Sequence, residues 1–147
     1  FIMTDLTKFN ASPGIIWAHE DSASCSNIEI CNNTFYGVRL GQVVLSAKGT
    51  RNALVNNVWE NCVFTSPLHR GIETVSNNGY WNNTGPTPPG GIAGASSTFV
   101  NASAHDFRLK PGGYAVGAGK VLSGAFATDC AGNVRGEKWD LGAYSFK

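Results

Sequence analysis

The sequence predicts an all-β chain, a solenoid of stacked parallel coils with about 25 residues to the coil. Three observations carry that prediction. Asn27, Asn52 and Asn77 recur at one spacing, and Asn32, Asn57 and Asn82 repeat it five residues later. Between these columns lie short apolar alternations, Ile28 and Ile30, then Ala53 and Val55, then Tyr80, the period of a strand. Charged residues make up only 14% of the 147 residues, Gly is frequent at 18, and no stretch of ten or more residues carries a helical period.

Asparagine suits the corners of such a stack. Its short amide side chain tolerates the left-handed backbone and bonds locally. Strands about 4.8 Å apart also let one amide donate to the carbonyl of the next, forming a ladder. The 27/52/77 and 32/57/82 columns are the expected ladders. In the coil before them, Ile2 and Thr7 take the ladder positions.

The same frame aligns Pro13, Val38 and Val63; Ile15, Leu40 and Thr65; Phe9, Thr34 and Trp59; and Ala18, Val43 and Leu68. Apolar columns are required because one coil cannot bury its own face. Trp59 is expected in the core. Gly14 and Gly41 fall near strand boundaries, and Gly37 and Gly71 at bends. The run 85–91, Gly-Pro-Thr-Pro-Pro-Gly-Gly, breaks the pattern and predicts a loop that leaves the coil surface, a connection or a lid.

A net charge of +1 with no basic cluster argues against a nucleic-acid binder. No stretch approaches the ~18 apolar residues of a membrane span. Four cysteines, Cys25, Cys31, Cys62 and Cys130, allow three disulfide pairings or none, and their spacing fits no zinc site. No metal or cofactor is expected. The composition fits an extracellular protein. The chain begins at Phe1 with no signal-peptide pattern, so a processed chain or a piece of a longer one is expected. Glycosylation sequons occur at Asn32, Asn82 and Asn101, and a poor one at Asn10, where Pro13 follows Ser12. Ladder amides cannot carry a glycan, so Asn32 and Asn82 are expected to be unmodified.

From Phe99 the character changes. Phe99-Val-Asn precedes Asp106-Phe-Arg-Leu-Lys-Pro-Gly112 and Ala115-Val-Gly-Ala-Gly119. Asp129, Gly132 and Arg135 follow, then Asp140-Leu-Gly-Ala-Tyr144. This third of the chain resembles the C-terminal closure of the pectate-lyase-like superfamily, departing from its pattern at Gly113-Tyr114, where Ser-Pro is usual. The resemblance implies a right-handed parallel β-helix, secretion, and carbohydrate as the ligand class. In physical terms the segment is expected to cap the stack and cover its open strand edges. Asp106 and Asp140 are expected to form turns, and Arg135 to pair with Asp129 or Asp140.

The chemistry of such scaffolds sets testable demands. Calcium-dependent cleavage needs clustered carboxylates, and inverting hydrolysis needs a carboxylate pair. The coils offer only Asp5, Glu20, Asp21, Glu29, Glu60 and Glu73, with no obvious pair. The best polar strip places His19 and His69 in one column and Glu20 and Arg70 in the next. His69, Arg70 and Glu73 are the candidate catalytic residues, with His as base and Arg neutralising a uronate. His19, Arg39 and Arg51 are candidate substrate contacts. Trp17, Trp59, Tyr80 and Trp81 are candidates for stacking on sugars.

Residues 1–98 are thus read as coils and 99–147 as the closing segment of the same domain. The expected function is the C-terminal portion of an extracellular β-helix protein that binds or processes polysaccharide, in the manner of a lyase or glycosidase. The alternative is a non-enzymatic structural or fibre-forming solenoid, joined to itself or a partner chain through its N-terminal coil.

Overall fold

A computed structural model describes residues 2–4, 16–17, 26–40, 43–44, 49–64, 72–122, 124 and 126–147. The strands are short, two to four residues each, and nearly all pair in parallel. The largest sheet orders β1 (Ile2–Thr4), β4 (Thr34–Tyr36), β8 (Val58–Glu60), β11 (Gly79–Trp81) and β12 (Ile92–Ala93). A second contains β3 (Glu29–Cys31), β7 (Ala53–Val55) and β10 (Thr74–Ser76), with β7 central. Two further parallel pairs join β2 (Ile16–Trp17) to β6 (Val43–Val44) and β5 (Arg39–Leu40) to β9 (Val63–Phe64). The chain is therefore all-β with parallel sheets. Its helical content among the described residues is one 3-10 turn, Ala102–Ala104.

The corners explain why the strands are short. Asn27, Asn32, Asn56, Asn61, Asn77 and Asn82 all have φ between 50° and 61°. The same conformation is taken by Arg51 and Gly37. These positions recur every five residues within a repeat, at 27, 32 and 37, then 51, 56 and 61. Three extended residues separate one left-handed corner from the next, with a second corner residue completing each bend.

The register differs from the 25-residue frame. Glu29 pairs with Ala53 and Ala53 with Thr74, offsets of 24 and 21. Phe35 pairs with Trp59 and Trp59 with Tyr80, again 24 and 21. The expected 27/52/77 and 32/57/82 columns are therefore not ladders. Four corners carry Asn-Asn doublets, 32–33, 56–57, 77–78 and 82–83. A 25-residue frame steps from the first member of one doublet to the second of the next, then on to a different corner. The amide bonds join like members: Asn56 Nδ2 donates to Asn32 Oδ1 at 3.1 Å, and the second members run further. Asn33 Nδ2 donates to Asn57 Oδ1 and Asn57 Nδ2 to Asn78 Oδ1, each at 3.0 Å.

The apolar columns shift accordingly. Thr34 aligns with Val58 rather than Trp59, Val63 with Arg39 rather than Val38, and Leu40 with Phe64. Val43 aligns with Ile16 and Ile2 with Thr34, the latter 32 residues on. Thr7, Phe9, Pro13, Ile15, Ala18, Thr65 and Leu68, together with Asn10, Gly14, Cys25, Gly41 and Gly71, lie outside the described residues.

Alternate residues of the large sheet face opposite ways. Phe35, Trp59 and Tyr80 point into a core shared with Ile30, Leu54 and Phe64. Thr34, Val58 and Gly79 point the other way, and the C-terminal segment covers them. There Phe99, Phe107, Leu109, Ala115 and Leu141 pack with Val58 in a second core. A sheet buried on both faces is usual for parallel strands.

The C-terminal segment is thus a side cover and not an end cap. It touches three successive repeats: Asn32 Nδ2 donates to the Asp140 and Gly142 carbonyls, Gly142 N to Asn56 O, and Asn77 Nδ2 to Ala118 O. Asn32 is 4% exposed, and its amide is committed to these bonds and to Asn56. Asn82 is exposed instead, with its Nδ2 donating to Asn61 Oδ1.

Within the cover, Asp106 accepts from Arg108 N, the expected local turn. Asp140 bridges two segments by accepting from Gly117 N and Phe146 N. Arg135 pairs with neither acid. It donates to the Gly142 and Ala143 carbonyls and lies between the Phe126 and Trp139 rings, 5.5 and 5.3 Å from their centroids. Backbone carbonyls take up Nη2 and ring faces flank the group, while Asp129 and Asp140 act on it only through their charge.

Cys31, Cys62 and Cys130 are unpaired. Cys62 is buried, its thiol donating to Phe35 O and Glu60 O, and burial pushes its pKa up to about 12. Among the described residues, no helix is long and apolar enough to cross a membrane.

Candidate functional site

Where β11 ends, the chain turns at the left-handed Asn82 and stays level with the previous repeat as far as Thr84, which bridges to Val63. Pro86, Pro88 and Pro89 then take the backbone off the sheet. Proline lacks the N–H that a ladder needs and fixes φ, so the run cannot continue as strand. The chain returns at β12, where Ile92 N donates to Asn78 O and Gly94 N to Tyr80 O. The expected loop thus arches over the end of β11 and leaves an open cleft of about 400 Å³.

Trp81, Asn82, Thr87, Pro88 and Gly90 line this cleft, together with Tyr80. Trp81 is half-buried, because strand alternation turns it away from the core that holds Tyr80. Gly91 closes the loop against the Tyr80 ring: a Cβ there would lie 2.1 Å from Tyr80 Cε2, so no other residue fits unshifted. The Tyr80 hydroxyl is buried without a partner, and burial raises its pKa, so the phenol stays neutral.

The polar groups divide into occupied and free. Asn83 is fully used in the fold, accepting from Cys62 N at 2.7 Å and donating to Trp59 O at 2.8 Å. Asn82 spends its Nδ2 on Asn61, and its Oδ1 has no partner among the described residues. Thr87 is exposed, with no partner for its hydroxyl among the described residues. An aromatic surface beside a free amide oxygen and a free hydroxyl can stack on one face of a ligand and bond its edge.

Glu60 lies next to Trp81 in the strand register, yet is 0% exposed. Ser97 Oγ donates to it at 2.6 Å, Thr98 N at 2.7 Å and Tyr114 Oη at 3.1 Å. Burial raises its pKa, while those three donors and the Lys110 charge pull it back. The carboxylate therefore clamps the C-terminal cover to the sheet and is sealed from the cleft.

Of the polar strip expected from sequence, the structure brings two residues together. Arg51 occupies a left-handed corner, and its backbone amide donates to Glu73 Oε2 at 2.9 Å. Both are exposed, and Glu73 closes a corner here. Arg39 is exposed at the start of β5, level with Val63. His19, His69 and Arg70 lie outside the described residues. Of the candidate stacking residues, Trp59 is fully buried and Trp81 lines the cleft. Sequence reading did not single out Asn82 and Thr87 as ligand contacts. Their signal was the loop itself, a Pro-rich excursion directly after an aromatic strand.

No protein-family model matches the chain, and a search of curated proteins finds no match either.

Proposed function

We propose that this chain is part of an extracellular right-handed parallel β-helix protein that binds polysaccharide, with the cleft under loop 85–91 as its contact point. The fold reading is supported by the 24- and 21-residue offsets that the two main parallel sheets share and by the left-handed Asn corners. The motifs of the C-terminal segment, which resemble the pectate-lyase-like superfamily, support both the handedness and the extracellular location.

One observation carries the functional reading: a half-buried Trp81 beside the free Asn82 oxygen and Thr87 hydroxyl in an open cleft. Sugars present apolar C–H faces and hydroxyl edges, and this arrangement meets both. Among the described residues, no carboxylate or histidine lines the cleft to act as acid or base for cleavage. The reading is therefore of binding at this site.

Co-sedimentation with a set of insoluble plant, algal and bacterial polysaccharides tests it. The protein is expected to pellet with at least one, and Trp81→Ala to stay in solution. A wild-type chain that stays in the supernatant with every polysaccharide contradicts the reading.

A further inference from the structure

We propose that the ligand of the Trp81 cleft is an uncharged glycan and not a uronate polymer; this rests on the binding reading above. The ten described residues that line the cleft are uncharged: Tyr80, Trp81, two Asn, one Thr, one Pro, one Ala and three Gly. A uronate carboxylate leaving water loses hydration that only a cation or several strong donors replace. Among the described residues, neither Lys nor Arg lines the cleft.

The surroundings point the same way. Glu60, level with Trp81 in the adjacent strand, has its carboxylate enclosed by Ser97, Thr98 and Tyr114. Its oxygens are bonded within the fold and are not offered to a ligand. The Tyr80 phenol remains neutral. The free polar groups, Asn82 Oδ1 and Thr87 Oγ1, are an acceptor and a donor-acceptor, which match sugar hydroxyls. Trp81 provides the stacking surface. Recognition by neutral dipoles and an aromatic face is little affected by salt, whereas recognition of a polyanion weakens as the screening length falls.

Isothermal titration separates the possibilities. The probes are short gluco-, xylo- and manno-oligosaccharides on one side and oligogalacturonates and oligomannuronates on the other. Each is titrated at low salt and at ~1 M salt, where the screening length is about 3 Å. At least one neutral series is expected to bind with Kd unchanged within about twofold across that range. Trp81→Ala is expected to weaken it about tenfold or more, and Thr87→Val about threefold to tenfold. Thr87→Val keeps the side-chain shape on an exposed loop, so it guards against a folding artefact of the Trp81 variant.

Tighter binding of a uronate series, lost at high salt and lost in Trp81→Ala, overturns the ligand class while leaving the binding site in place. Binding of a neutral series that neither variant alters moves the site elsewhere and overturns the proposal. Failure of every probe to bind overturns both the ligand class and the binding reading.

Discussion

The Phe35 and Trp59 rings stack 3.8 Å apart and 11° from parallel, although 24 residues separate them in the chain. Trp59 in turn meets Phe64 edge-on at 5.8 Å, and Phe64 meets Tyr80 at 6.4 Å. This aromatic column links three repeats and fixes their register. Trp59→Ala should cost ~3–5 kcal/mol, as large-to-small changes in a packed core do. Trp59→Phe should cost much less, because the buried Trp59 Nε1 has no partner to lose. Urea unfolding midpoints of the two variants check the ordering. Equal losses would contradict the stack as the source of stability.

Asn57 holds adjacent repeats together through its amide. Its Nδ2 donates to Ile30 O and Asn78 Oδ1, while its Oδ1 accepts from Asn33 N and Nδ2. Asn57→Ala leaves several of these groups buried and unpaired, at ~1–3 kcal/mol for each unsatisfied group. Asn82→Ala, at an exposed corner, should cost less, ~1–2 kcal/mol, chiefly from alanine in the left-handed backbone. Thermal denaturation of both variants checks the contrast.

These doublets also show what was legible in the sequence. Asn at left-handed corners, short alternating strands, Trp59 in the core and a loop at 85–91 all followed from residue chemistry. Register did not, because an Asn-Asn doublet looks alike at offsets of 24 and 25. Backbone conformation distinguishes its two members: the first turns the corner at positive φ, and the second carries the amide ladder across three repeats. The side placement of the C-terminal segment was hidden for a similar reason. Leu141 and Phe107 are apolar wherever they pack, and the outward faces of Val58 and Gly79 reveal which surface they cover. Arg135 was read as an ion-pair partner because charge suggests charge. It is buried between Phe126 and Trp139 instead, with Nη2 on backbone carbonyls and with Nε and Nη1 lacking a hydrogen-bond partner among the described residues. The cleft was half legible: Trp81 as a stacking residue was visible, and its partners Asn82 and Thr87 required the loop path.

Glu60 should make stability depend on pH. Burial lifts its folded pKa above the ordinary value of 4.5, so the folded chain holds the proton more tightly than the unfolded one. Its stabilising contribution is full below 4.5 and is lost as pH rises through the raised folded value. Relative to Glu60→Gln, the wild-type melting temperature should fall over that rise and then level off. A constant difference between the two proteins from acid to neutral pH would contradict this. Glu60→Ala should destabilise at every pH, since it strands the Thr98 amide and the Tyr114 hydroxyl.

Gly79 lets the C-terminal cover approach the sheet. A Cβ there would lie 2.5 Å from Tyr114 Cε2 and 2.9 Å from Leu141 Cδ1. Gly79→Ala should therefore push the cover outward, at ~1–3 kcal/mol for the overpacking. Limited proteolysis is expected to cut residues 99–147 faster in this variant while the strands up to Trp81 stay protected. Unchanged cleavage would mean that the cover is held by other contacts alone.

The chain has four tryptophans, of which Trp81 lines the cleft and Trp59 is fully buried. Nitrogen-15 NMR of the indole N–H groups, assigned with single Trp→Phe variants, separates them directly. Titration with the best-binding neutral oligosaccharide should move the Trp81 resonance progressively and leave the fully buried Trp59 resonance in place. A saturating titration that leaves Trp81 unmoved would contradict the proposed site.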